Sequence, residues 1–217
     1  MPFLLLGCKK RYTARTHEAL ALYHSSIRWF EQVEKRYVPI KARYKQEIAA
    51  FSFIEIGLAW EEFIEEAFLN LMVNAKAYTR GCRSLVKVSS KKKAFEMLKG
   101  DGNRGFIEWT NVDANIERAN RIFLKGKPFN EPLSAGAVHF KRMTVIRNSI
   151  AHRSINAQEK LKNLIRELYG SYRQMAPGEL LLKTCPPNFS IGSFQSETIL
   201  ETYAKILESA VFQIATI

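Results

Sequence analysis

Apolar residues recur every three or four positions over most of the chain, and almost nothing alternates with period two, so the pattern predicts helices throughout. From about Tyr12 to Tyr37 the spacing of Leu20, Leu22, Tyr23, Ile27, Phe30 and Val33 predicts an amphipathic helix, which Pro39 ends or kinks. A longer helix follows from about Ile40 to Ala77. Its main stripe is Ile48, Phe51, Ile54, Leu58, Phe63, Ala67 and Leu71, but Phe53, Ile56, Trp60, Ile64 and Phe68 fall outside it. Such a helix contacts neighbours on two sides, the second being core or a partner subunit.

Between about Tyr78 and Pro132 the pattern breaks into turn-rich, basic stretches (GCRS, SSKKK, LKGDGNRG, KGKPFNEP). This reads as an insertion with short helices at Ser90–Lys99 and Val112–Leu124. Helical spacing returns from Leu133 to His152. A capping-box pattern at Asn156–Glu159 then predicts the start of a helix carrying Leu161, Leu164, Ile165, Leu168 and Tyr172. Pro177, Pro186 and Pro187 bracket a loop, and a final helix begins near Ser193 or Ser196. The expectation is an all-α fold: one domain over 1–217, an antiparallel helical bundle with residues 78–132 inserted between the second long helix and the Leu133–His152 helix.

Composition narrows the class. At 217 residues with 47% hydrophobic content the chain can bury a sizeable core. A net charge of +12 attracts polyanions, nucleic acid before an acidic membrane, since no basic helix carries a clean apolar face opposite its charges. Lys91, Lys92, Lys93, Arg118, Arg121, Lys125 and Lys127 could meet a phosphate backbone or lie on a solvated loop. Three cysteines, Cys8, Cys82 and Cys185, without CxxC or a nearby histidine pair, fit a reducing cytosol and neither a disulfide framework nor a zinc site. LLGC before Cys8 looks like a lipoprotein cleavage site but lacks a positive leading region and has too short an apolar run. No stretch reaches the roughly 20 apolar residues of a membrane span. The expectation is a cytoplasmic protein without cofactor or metal.

Most catalytic patterns are missing. The GDGNRG segment, Gly100 to Gly105, lacks the Lys-Ser/Thr of a P-loop, and no HExxH, EF-hand loop or Glu-x-x-His pair occurs. Glu55, Glu61, Glu62, Glu65 and Glu66 read as a solvated or salt-bridged face. What remains is IRNSIAHRS, Ile146 to Ser154. Asn148 and His152, four apart, share a helical face, so the amide can orient the imidazole. Arg147 and His152, five apart, diverge by about 140° on a regular helix. They converge only if the helix ends or bends, or if two copies meet. Histidine moving the proton of a ribose 2′-hydroxyl or of the leaving oxygen, with arginine neutralising phosphoryl charge, suits RNA cleavage without metal. DNA lacks that hydroxyl and would not be cut this way.

With Arg147, Asn148 and His152 late in an all-α, basic chain, the sequence resembles the HEPN family, helical bundles sharing an Arg-polar-x3-His motif. The resemblance implies a metal-independent endoribonuclease, a toxin of a toxin-antitoxin system or a defence component, with an antitoxin or defence partner. It implies a homodimer whose composite site forms where two motifs meet, Arg147 and His152 catalytic and Asn148 accessory. Lys141, Arg142 and Arg153 flank the motif as candidate RNA contacts. In related toxins a tyrosine often stands two places after the histidine, where this chain has Ser154. The alternative is a non-cleaving HEPN-like module that binds RNA, a nucleotide or a protein partner.

Overall fold

A helix that is apolar on nearly every side has to be covered from several directions, and the second long helix sets that demand. The computed structural model describes residues 4–32, 38–74, 82–99, 107–152, 154–171, 173–189 and 196–216. Among them lie nine α-helices and no strand beyond two isolated bridges: α1 Leu6–Gln32, α2 Val38–Val73, α3 Lys91–Lys99, α4 Val112–Ile122, α5 Asn130–Ala135, α6 Ala137–Ala151, α7 Ile155–Tyr169, α8 Pro177–Leu182 and α9 Ile199–Ala215. The fold is all-α. The chain divides into two compact units, Met1–Thr13, Ala59–Lys141 and Leu207–Ile217 forming one and Ala14–Leu58 and Arg142–Ile206 the other.

In the first unit, Trp60, Phe63, Ile64, Ala67, Phe68, Leu69, Leu71 and Met72 of α2 are all buried. Phe68 stacks on Phe129 with ring centroids 4.0 Å apart and meets Phe123 and Trp109 at 5.5 Å each. Trp60 stacks on Phe140 at 5.1 Å. The second apolar side of α2 is therefore core. The described part of 78–132 is built into that core: Leu98, Trp109, Val112, Phe123 and Phe129 are buried, and α3 and α4 occur within a residue or two of their expected bounds. The indole N–H of Trp109 donates to Glu65 Oε2 at 2.6 Å. Arg11 of α1 and Lys91 pair with Glu66, and Cys8 accepts from Asn70. Residues 8 and 11 meeting 70 and 66 run α1 and α2 antiparallel.

In the second unit Phe53 and Phe189 meet Tyr203 edge-on at 5.6 and 5.3 Å. Arg15 pairs with Glu55 and Phe30 stacks on Tyr44, again antiparallel. Leu161, Leu164, Ile165 and Leu168 of α7 are buried as their spacing predicts.

Several boundaries differ from expectation. α1 starts at Leu6, ahead of Tyr12, because Leu5, Cys8, Tyr12, Thr16, Ala19 and Tyr23 form its buried stripe. Cys8, Thr16 and Ala19 are not strongly apolar, so the stripe was hidden, while Leu22 is exposed. Pro39 lies in the first turn of α2, where an absent amide costs no intrahelical bond. On α2 the more buried line is Phe53, Ile56, Trp60, Ile64 and Phe68, whereas Phe51 is exposed. The predicted Leu133–His152 helix is two helices broken at Gly136, where an added Cβ would sit 2.6 Å from the Phe140 ring. Asn156 is not the cap of α7: Ser154 is, its side chain accepting from Ala157 N. The final helix starts at Ile199, after a reciprocal cap in which Thr198 N–H donates to Glu201 and Glu201 N–H to Thr198. Pro177 opens α8 and is not a loop residue. Val33, Tyr37, Ala77, Tyr78, Gly100–Gly105, Tyr172 and Ser193 lie outside the described residues.

Gly178 fixes how closely α8 approaches α2 in the second unit: a Cβ there would fall 2.1 Å from the Gln46 carbonyl oxygen, a backbone atom that cannot swing aside. Gly178→Ala should therefore destabilise the protein by about 1–3 kcal/mol in denaturant titration.

Candidate active site

The motif occupies the last turn of α6, whose helical bonding runs out at His152: its N–H still donates to the Asn148 carbonyl at 2.9 Å, but Ala151 is the last helical residue. Ser154, extended at φ −72° and ψ 151°, then caps α7, so the polypeptide reverses within a few residues. Ile146 is fully buried and anchors the inner face of α6. Asn148 and Arg147 are half-buried, and His152 is exposed.

Arg147 and His152 point apart on the helix as their spacing requires, yet the arginine head group does not stay on its own side. Its Nη1 lies 3.4 Å from Asn148 Oδ1. Asn148 is only about 40° from His152 around the axis. The long side chain thus carries the guanidinium toward the face Asn148 and His152 share. The carboxyl end of α6 also favours a cation at this point. Beyond the reversal Ile155 is 82% exposed, an aliphatic residue beside the motif.

The chain matches no protein-family model, no curated protein and no solved structure. What the site does must therefore be argued from its own geometry.

The flanking cations separate. Arg142 is engaged: its Nη2 and Nε donate to Glu167 at 2.6 and 3.0 Å, its guanidinium lies 5.7 Å from the Phe189 ring centroid, and its side chain is 12% exposed. It holds α6 to α7 and is not presented to a ligand. Lys141 belongs to the first unit, where it pairs with Asp113 at 2.9 Å. Arg153 lies outside the described residues. The carboxylates of α2 are engaged as a salt-bridged face predicts, Glu55 by Arg15 and Glu66 by Arg11 and Lys91. For Glu66, burial pushes its pKa up, but bonds from Arg11 and Cys8 and the charge of Lys91 outweigh it and hold the carboxyl below its usual range.

Among the described residues no cluster of three or more His, Cys, Asp or Glu could hold a metal ion, and no helix is long and apolar enough to cross a membrane. Burial pushes the thiol pKa of both Cys8 and Cys185 up, which makes them poor nucleophiles near neutrality. A cavity of about 680 Å³ opens in the second unit between α2, α7 and the segment before α8, reached from α6 only by Ser149 and Ile150. Ile150 is about 160° around α6 from both Asn148 and His152, whereas Ser149 is only about 60° from His152, so the cavity borders the motif's helix without being lined by Arg147, Asn148 or His152.

Sequence reasoning passed over Ile155 and the capping role of Ser154. The signal for Ser154 was its position three residues before the buried Ala157; nothing in the apolar pattern marks an exposed Ile155. Ser154→Ala should cost about 1 kcal/mol in chemical denaturation and Ser154→Asp much less, since aspartate also caps. Arg142→Ala should lower stability by about 1–3 kcal/mol through loss of its bonds to a charged partner, while leaving the RNA affinity of the folded protein unchanged.

Proposed function

We propose that this protein is a metal-independent endoribonuclease of the HEPN type, cleaving RNA at a site built from Arg147, Asn148 and His152. The observation that carries the reading is the convergence at the end of α6: an exposed imidazole, an amide on the same face, and a guanidinium drawn onto that amide. In this chemistry His152 takes the proton from a ribose 2′-hydroxyl. The 2′-oxygen attacks the adjacent phosphorus, the bond to the 5′-oxygen breaks, and that oxygen leaves with a proton returned by the imidazolium or taken from water. Arg147 neutralises the charge gathering on the non-bridging oxygens, and Asn148 positions the guanidinium. The products carry a 2′,3′-cyclic phosphate and a 5′-hydroxyl.

The active form is proposed as a homodimer in which two motifs face each other. Exposed Ile155 beside exposed His152 supports this, because a second copy would cover the aliphatic residue and add a second imidazole to the same cleft. The biological role we assign is that of a toxin or an antiviral defence component, restrained by a partner protein. A second reading, a HEPN-like module that binds without cleaving, draws support from the 680 Å³ cavity, which is large enough for a small ligand and is not lined by Arg147, Asn148 or His152.

Incubating the full chain with single-stranded RNA in EDTA separates these readings. Wild type should yield 2′,3′-cyclic phosphate ends, and His152→Ala and Arg147→Ala should each slow cleavage by about 10²-fold or more. Cleavage that survives both substitutions, or that EDTA abolishes, defeats the proposal; tight binding with no cleavage by wild type favours the second reading.

A further inference from the structure

The first unit carries a cluster of exposed cations that the motif does not use, and the backbone gathers it. Residues 82–85 run beside 122–127: Ser84 bridges Phe123, Leu85 N–H donates to the Ile122 carbonyl at 2.7 Å, and Leu124 N–H donates to the Arg83 carbonyl at 2.8 Å. Phe123 and Ile122 are buried in the core, while Leu124 and, across the ribbon, Arg83 and Leu85 are exposed. Arg83, Arg121, Lys125 and Lys127 are exposed there, with Lys87 just beyond the ribbon. Among the described residues none of these five has a carboxylate within ion-pair distance. Several other cations of the region are engaged. Lys91 pairs with Glu66, Lys99 with Glu96, and Arg118 bonds Asn115 at 2.6 Å with its guanidinium 5.4 Å from the Trp109 ring centroid.

Two further observations show that the cluster persists at a cost to the fold. Lys125 adopts a left-handed conformation, φ 56° and ψ 24°, the only described non-glycine residue to do so. For a residue with a Cβ that conformation is strained, and such strain concentrates at binding sites. Close by, burial lowers the Arg118 pKa below the usual arginine value and the charge of Arg121 lowers it further, against the opposing charges of Glu117 and Glu108.

We propose that the ribbon of Arg83, Arg121, Lys125 and Lys127, extended by Lys87, is a binding surface for the phosphodiester backbone of single-stranded nucleic acid. Exposed Leu85 and Leu124 lie among the cations and offer apolar contact to sugars or bases. The surface stands whether or not Arg147 and His152 cleave, because none of its residues belongs to the motif.

Binding is measured on the full chain in a His152→Ala background, so that no substrate is consumed, using fluorescent single-stranded RNA and DNA of equal length. Each cation removed should weaken binding about fourfold near physiological salt and flatten the slope of log affinity against log salt by about 0.7. Arg83→Gln with Lys125→Gly should therefore weaken binding at least tenfold, with a thermal midpoint no lower than before, because glycine accepts the left-handed backbone. Arg28→Gln with Lys160→Gln removes the same charge from exposed positions of the second unit and should change affinity less than twofold. Unchanged affinity in the ribbon variant, or an equal loss in both double variants, overturns the proposal. So does binding of phosphatidylserine vesicles without binding of either strand. Loss on RNA and DNA alike identifies the backbone as the ligand, and loss on RNA alone confines the surface to ribose-bearing strands. Failure of wild type to cleave RNA leaves each of these outcomes readable.

Discussion

The burial of Phe68 is the constraint on which the first unit depends. An aromatic ring on a helix already covered along its other flank needs partners from elsewhere, and Phe129, Phe123 and Trp109 supply them. To deliver those rings the chain after α2 must wrap back along it, which explains why a glycine-rich, cation-rich stretch folds into α3, α4 and α5. Burying three aromatic side chains is worth several kcal/mol, enough to order segments whose local propensity is poor. The exposed character of Arg83 fits the same demand: Ser84 bridges the inward-facing Phe123, and Arg83, one place from Ser84, turns outward.

The second unit meets a different demand. Tyr203 is fully buried between Phe53 and Phe189, and burial pushes its phenol pKa far up, so it stays neutral. Arg142 lies over Phe189 and reaches Glu167 on α7. A charged group lies at the edge of an apolar cluster, stabilised by a ring face on one side and a carboxylate on the other. This locks α6 against α7 little more than one turn before Arg147. The rigid placement of Ile146, and with it of Arg147 and Asn148, rests on that lock.

Helix existence was legible in the sequence because apolar spacing reports burial whatever the neighbours are, and α2, α3, α4 and α7 all lie where that spacing puts them. Boundaries were less legible where small or polar residues do the packing. Cys8, Thr16 and Ala19 bury the start of α1 without an apolar signature, and Gly136 breaks a helix for lack of room against Phe140. The core role of the 82–132 stretch was hidden by its lysines, glycines and turns, which interrupt the apolar spacing, while Leu98, Trp109, Val112, Phe123 and Phe129 carry the packing. At the motif, the sequence gives the residues and their angular separation. It could not give the reach of the Arg147 side chain onto Asn148, which depends on a rotamer.

The same distinction applies to charge. A net +12 describes an attraction to polyanions but not a place for it, and some of the conspicuous cations prove to be engaged within the protein: Arg142 by Glu167 and Phe189, Arg118 on Trp109, Lys91 against Glu66. A cation already paired and partly desolvated gains little from a phosphate, because it must give up one partner for the other. What a strand of nucleic acid can use is the remainder, and the ribbon concentrates it. Contacts of that kind hold ground state and transition state alike, so they retain the strand without speeding any reaction on it. Acceleration has to come from groups whose interaction grows as the phosphorus becomes crowded with charge. In the proposed reaction that part falls to the guanidinium of Arg147 and the imidazole of His152 at the end of α6.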